Sequence, residues 1–163
     1  MADDVSDELK IQKDLLWGMY SDVRTHARHA ETLRANTVNL VLLVASALTA
    51  VITSDGHVER HELPVCLVIV AVGLAGLAFA GSYTELCHRN RLRAERLRSV
   101  LDAWFFASAE QTIAHVLAAS DGSHEASRVY RWTRRLTGST HRFWLVVPTL
   151  VIVGGALLTV IAV

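Results

Sequence analysis

Arginine makes the densest chemistry-bearing pattern in this chain. Within "ELCHRNRLRAERLRSVLDAWFF" (Glu85–Phe106), Arg89, Arg91, Arg93, Arg96 and Arg98 fall inside ten residues. Guanidinium forks match phosphate oxygens two at a time, so such rows suit phosphate-bearing ligands, anionic headgroups or acidic partners. On a helical wheel Arg89, Arg93 and Arg96 share one side and Arg91 and Arg98 another. Glu85–Arg89 and Arg98–Asp102 are i,i+4 pairs that partly neutralise the rows. A second cluster holds Arg128, Arg131, Arg134 and Arg135. Arg89, Arg93, Arg96, Arg128, Arg131 and Arg135 are the phosphate-binding candidates.

Other reactive types are sparse. His26 and His29 sit i,i+3, and "HVERHE" gathers His57, Glu59, His61 and Glu62. The first pair has no acid or Cys to complete a metal shell. The second lacks the Glu that follows the first His in a zinc-protease helix. Hydrogen bonding accounts for one and a solvated loop for the other, so no metal is expected. Cys66 and Cys87 stand about 31 Å apart along a helix, beyond disulfide reach, and read as small apolar filler. There is no Gly-rich phosphate loop, nucleophile elbow or Cys-x-x-Cys pair. No catalytic residue and no cofactor are implied, and the chain reads as a non-enzyme.

The elements that position these residues follow from hydropathy. The chain has 163 residues, 52% of them hydrophobic, and 16 basic side chains against 16 acidic ones. Net neutrality argues against a general nucleic-acid binder. Thr37–Ser54, Pro64–Tyr83 and Phe143–Val163 contain no charged side chain. About 20 helical residues rise roughly 30 Å, a bilayer's hydrocarbon thickness, and a helix satisfies its own backbone there. The expected fold class is therefore an all-α integral membrane protein. Residues 37–54, 64–83 and 143–163 are its transmembrane helices, 55–63 an outer loop, and 1–36 and 84–142 cytosolic helical pieces.

Charge sets the orientation. Met1–Asn36 carries five Lys/Arg, Asp55–Leu63 one, and Thr84–Arg142 ten. The positive-inside rule puts both long pieces in the cytosol, the N-terminus inside and the C-terminus outside. Phe143 and Trp144 beside Arg142, and Tyr83 before His88 and Arg89, suit the interfaces. The N-terminus "MADDVSDELK" lacks the basic start and apolar core of a signal peptide. Position alone makes the arginines behind the second run a topology signal first.

Amphipathic stripes organise the cytosolic pieces. Ser6 is a plausible N-cap, and Leu9, Leu16, Tyr20, Val23, Ala27 and Ala30 recur at helical spacing. With no proline before Thr53, this segment and the first span make one helix of up to about 70 Å. Tyr83–Ala119 reads as a second unbroken helix, with Leu86, Ala94, Leu97, Leu101 and Trp104 on one side. A turn at Ser120–His124 then leads to a short helix, Glu125–Leu136, and Thr137–Thr140 breaks it before the last span. Packed together, these helices form a stalk.

Inside the spans, Asn39, Ser46 and Thr53 repeat every seven residues with Thr49 close to the same side. Gly76 and Ala80, like Ala71 and Ala75, are four apart, and Gly154 and Gly155 sit mid-span. Small residues admit close helix approach, and hydroxyl or amide groups bond across helices. Two readings stand: packing within one three-helix bundle, or a seam facing copies in an oligomer. No full charge lies within a span, which argues against a proton-coupled transporter or a strongly selective cation filter.

The order of these parts resembles the Pycsar transmembrane effectors, and its first half the SLATT domains of bacterial nucleotide-signalling conflict systems. "ARHAETLRANTVNLVLLVASALTA" (Ala27–Ala50), "SYTELCHRNRLRAERLRSVL" (Ser82–Leu101) and "YRWTRRL" (Tyr130–Leu136) carry the likeness. Arg34-Ala35-Asn36-Thr37 stands where the Pycsar family tends to have an Asp and a Lys. The resemblance implies a homo-oligomeric bacterial inner-membrane effector. It would perturb the membrane to abort phage infection when a cyclic nucleotide or a partner signalling protein triggers it. A membrane anchor whose arginine-rich helices dock a partner or anionic lipid is the alternative.

Overall fold

The structure, a computed structural model, describes residues 2–106, 112–125, 127, 128, 131 and 140–163. Every regular element among them is helical: α1 (Ala2–Ile52), a 3₁₀ turn (Arg60–Glu62), α2 (Leu63–Phe105), α3 (Ile113–Glu125) and α4 (Thr140–Ala162). By length and composition α1, α2 and α4 are each apolar enough to cross a membrane.

α1 is a single helix of 51 residues, as its lack of proline allows. Its inward side runs through Leu16, Tyr20, Val23, Ala27, Ala30, Arg34, Val38, Val41, Ala45, Leu48 and Ile52, each three or four residues from the last. Leu9, assigned to that stripe from sequence, is 50% exposed. The helix ends in a turn closed by the Gly56 N–H donating to the Thr53 carbonyl at 3.2 Å. Gly56 has φ +83°, a conformation a side chain would strain. The Glu59 N–H then donates to Glu62 Oε2 at 2.9 Å, and α2 follows with Pro64 in its first turn.

α2 keeps a seven-residue rhythm throughout. Cys66, Ile69, Gly73, Gly76, Ala80, Cys87, Asn90, Ala94 and Leu101 are all buried. Trp104, expected on this side, is 63% exposed instead.

The chain divides into two compact units, Met1–His29 with Leu86–Leu136 and Ala30–Glu85 with Thr137–Val163. In the second, Ala45, Ile52, Cys66 and Ile69 form the core, with Leu48, Val58, Val65, Val151 and Leu158 packed on it. Glycine permits the contacts: a Cβ on Gly76 would lie 2.6 Å from Val41 Cγ2, and one on Gly155 2.9 Å from Val70 Cγ2. The outer side of this unit is strongly apolar, with Leu43 68% and Val160 75% exposed.

In the first unit the Cys87 thiol donates to the Ala27 carbonyl at 3.2 Å. Here the helix boundaries differ from the sequence expectation. α2 stops at Phe105 rather than continuing to Ala119, and α3 runs through Ser120–His124 where a turn was expected. Asp102 explains the new start. Its Oδ1 and Oδ2 accept from the Ile113 and Ala114 N–H groups, both at 2.9 Å, and Thr112 Oγ1 accepts from the His115 N–H at 3.2 Å. A carboxylate from one helix thus satisfies the orphan donors of the next and complements its dipole. Val129, Trp132, Arg134, Arg135 and Leu136 of the expected short helix, and the break at 137–139, lie outside the described residues.

Candidate functional site

The arginines divide according to the helix faces that carry them. Arg89, Arg93, Arg96, Arg128 and Arg131 are exposed, and Arg135 lies outside the described residues. The other row lines a cleft. Arg91 and Arg98 of α2, with Ala94 and Glu95 between them, face Tyr20 and Arg24 of α1 and Asp121 of α3 around a space of about 450 Å³. Tyr20 and Arg24 are i,i+4, as are Arg91 and Glu95, so each helix presents two groups from one face. Arg24, Glu95, Arg98 and Asp121 make no ion pair among the described residues. Three guanidiniums and two carboxylates thus surround one space, with one positive charge in excess. The expected Glu85–Arg89 and Arg98–Asp102 pairs are not ion pairs. Asp102 is instead committed to the start of α3.

Sequence reasoning missed Arg34. It is 5% exposed, and its Nη1 donates to Thr84 Oγ1 at 3.3 Å. Its Cζ sits 4.9 Å from the centroid of the Trp144 ring, and its Nε has no hydrogen-bond partner among the described residues. Thr84 Oγ1 donates in turn to the Ala80 carbonyl at 2.7 Å. One side chain therefore ties α1, α2 and α4 together. No described carboxylate balances its charge, so the Trp144 π face and the Thr84 dipole stabilise it. Spacing held the signal: Arg34 continues the buried Ala27–Ala30 stripe, while a charge count treats it only as a topology marker.

The span candidates divide in the same way. Gly76 and Ala80 are buried within the bundle, whereas Ala71 and Ala75 are exposed. Asn39, Ser46 and Thr53 are exposed and Thr49 is half-buried. The polar seam thus lies on the outer side of α1, away from Val38, Val41 and Ala45.

The histidines make local contacts. His26 Nε2 lies 3.5 Å from Asp22 one turn back, and His61 Nδ1 lies 3.2 Å from Glu59. Among the described residues no three His, Cys, Asp or Glu side chains gather as a metal site would need. Comparison with protein-family models, curated proteins and solved structures gives no match. The functional reading rests on the residues themselves.

Proposed function

We propose that this chain is a non-enzymatic, homo-oligomeric effector of a bacterial inner membrane, of the Pycsar- and SLATT-like kind its sequence resembles. In this reading residues 37–54, 64–83 and 143–163 cross the membrane, and residues 1–36 and 84–142, the outer parts of α1 and α2 with α3, form a cytosolic stalk. The N-terminus is cytoplasmic and the C-terminus outside. A phosphate-bearing nucleotide signal, or an acidic segment of a partner, engages the cleft of Tyr20, Arg24, Arg91, Glu95, Arg98 and Asp121. The spans then repack and the membrane is permeabilised, which ends a phage infection.

One observation carries this reading. The two helices that supply five of the six cleft residues named here, α1 and α2, run without a break into apolar stretches long enough to cross a membrane. Charge drawn to the cleft by Arg24 and Arg98 is therefore registered on the same rods that form the spans.

Membrane potential in cells, recorded with and without phage, tests the proposal. Depolarisation follows challenge in the wild type and is lost in Arg24→Ala/Arg98→Ala, although that variant remains in the membrane fraction. A normal potential throughout, with good expression and challenge by phages the protein protects against, contradicts it. The adaptor reading draws on the exposed Arg89, Arg93 and Arg96 and on Ile11 and Leu15, 68% and 64% exposed. A stable partner recovered by pull-down, with no conductance in liposomes, favours that reading instead.

A further inference from the structure

Most helical hydroxyls in this chain bond to their own helix. Thr37, Thr53, Ser82, Thr84, Thr149 and Thr159 each donate to the carbonyl four residues back at 2.7–2.9 Å. Ser46 and Thr49 do not. Neither they nor the Asn39 amide make a side-chain hydrogen bond among the described residues.

Ser46, Thr49 and Thr53 line one wall of a groove of about 790 Å³ between α1 and α4. The opposite wall includes Leu150, Gly154 and Leu157. The two adjacent glycines of α4 have divided duties. A Cβ on Gly155 would come within 3.0 Å of the Val70 backbone nitrogen, whereas one on Gly154 would meet nothing within 4 Å. Gly155 closes the chain's own bundle; Gly154 opens onto the groove.

We propose that this groove receives a second copy of the chain, parallel to the first and related to it by a two-fold axis along the membrane normal. The Asn39–Ser46–Thr53 seam lies on the shared face. The proposal rests on the reading that α1 and α4 cross a membrane. An acyl chain would fill the apolar part of the groove but offers no hydrogen bond, and an unpaired amide or hydroxyl in hydrocarbon is costly. A second copy inserted in the same orientation brings the same groups to the same depth. Spacing of seven keeps them on one line of a left-handed helix pair. An isologous interface needs such a self-complementary strip, because the same patch is used on both copies and residues beside the two-fold axis meet their own counterparts. The open flank at Gly154 lets the incoming α1 approach closely.

Cysteine cross-linking of the full chain in proteoliposomes tests this. Cys66 and Cys87 are 0% and 1% exposed, so the wild type gives a blank. Asn39→Cys, Ser46→Cys and Thr53→Cys are expected to form disulfide-linked dimers under mild oxidation. Leu40→Cys and Val51→Cys, also exposed but about 120–140° around the helix from Ser46, are expected to give at least about tenfold less. Ser46→Leu and Gly154→Leu are expected to shift the monomer–dimer equilibrium toward monomer by about tenfold or more, with helicity unchanged and Tm unchanged at the dilution where the wild type is also monomeric. A membrane-inserted chain that stays monomeric at every protein-to-lipid ratio overturns the proposal and leaves the groove to lipid. A dimer that survives both leucine substitutions, or cross-links equally well through Leu40→Cys, overturns it too. A chain that washes from membranes with carbonate overturns the membrane reading, and this proposal with it.

Discussion

The two units pack largely with different materials, although each buries a charged side chain, Arg34 in one and Asp102 in the other. Residues 30–85 and 137–163 bury small apolar groups. Gly76 meets Val41, Gly155 meets Val70, and Cys66 and Ile69 sit beneath Ala45 and Ile52. Residues 1–29 and 86–136 bury polar groups with designated partners: Cys87 to the Ala27 carbonyl, Asp102 to the first amides of α3. The first kind of packing needs no water and leaves an apolar exterior. The second borders a charged cleft. Both kinds occur along the same two helices, α1 and α2, with no backbone break between them.

Substitutions that reverse this division should matter in proportion to how completely each position is committed. Gly155→Val has the largest expected effect, a loss of about 3 kcal/mol, because the added carbons meet backbone as well as side chains. Gly154→Ala, one residue away, should leave Tm unchanged or slightly raised. Thermal unfolding in detergent checks the pair. Arg34→Ala should cost about 2 kcal/mol, since it removes a buried stack on Trp144 and the bond to Thr84. The loss should read out as a blue-to-red shift of tryptophan emission at lower temperature. Asp102→Ala should cost about 1–2 kcal/mol and act on one helix only. Hydrogen exchange should accelerate at Ile113 and Ala114 while the amides around Ala45 keep their protection. Gly18→Ala has the smallest effect and the opposite sign. Gly18 is an exposed helical position with open space around it, so about 0.5–1 kcal/mol of stability should be gained.

How much of this was legible in the sequence depends on whether the cause is local. The helical class and the three apolar stretches follow from uncharged runs of 18 to 21 residues, and the continuity of α1 from the absence of proline. Gly76 and Ala80 announce close approach by their spacing. The end of α2 does not announce itself, because Phe105 and Phe106 carry no breaking signal. The cue is Thr112 as an N-cap, and its force comes from Asp102, ten residues upstream on another helix. Asp102 reads locally as a partner for Arg98, whereas its carboxylate is taken by the Ile113 and Ala114 amides. Arg91 and Arg98 line the cleft, while Arg89, Arg93 and Arg96 face outward. Only tertiary packing of α1 and α3 against α2 distinguishes the two rows. The spacing of Asn39, Ser46 and Thr53 does not say which way they face; the burial of their neighbours shows them exposed in the single chain.

The proposed topology puts the turn after α1 outside the membrane and Ser21 of α1 and Arg93 of α2 on its cytosolic side. Labelling by a membrane-impermeant maleimide tests it most directly, since the native cysteines are buried. Asp55→Cys, in the turn after α1, should label in spheroplasts with the inner membrane intact. Ser21→Cys and Arg93→Cys should label only after that membrane is permeabilised. Labelling of all three in intact spheroplasts, or of Ser21→Cys and Arg93→Cys without Asp55→Cys, would contradict the account.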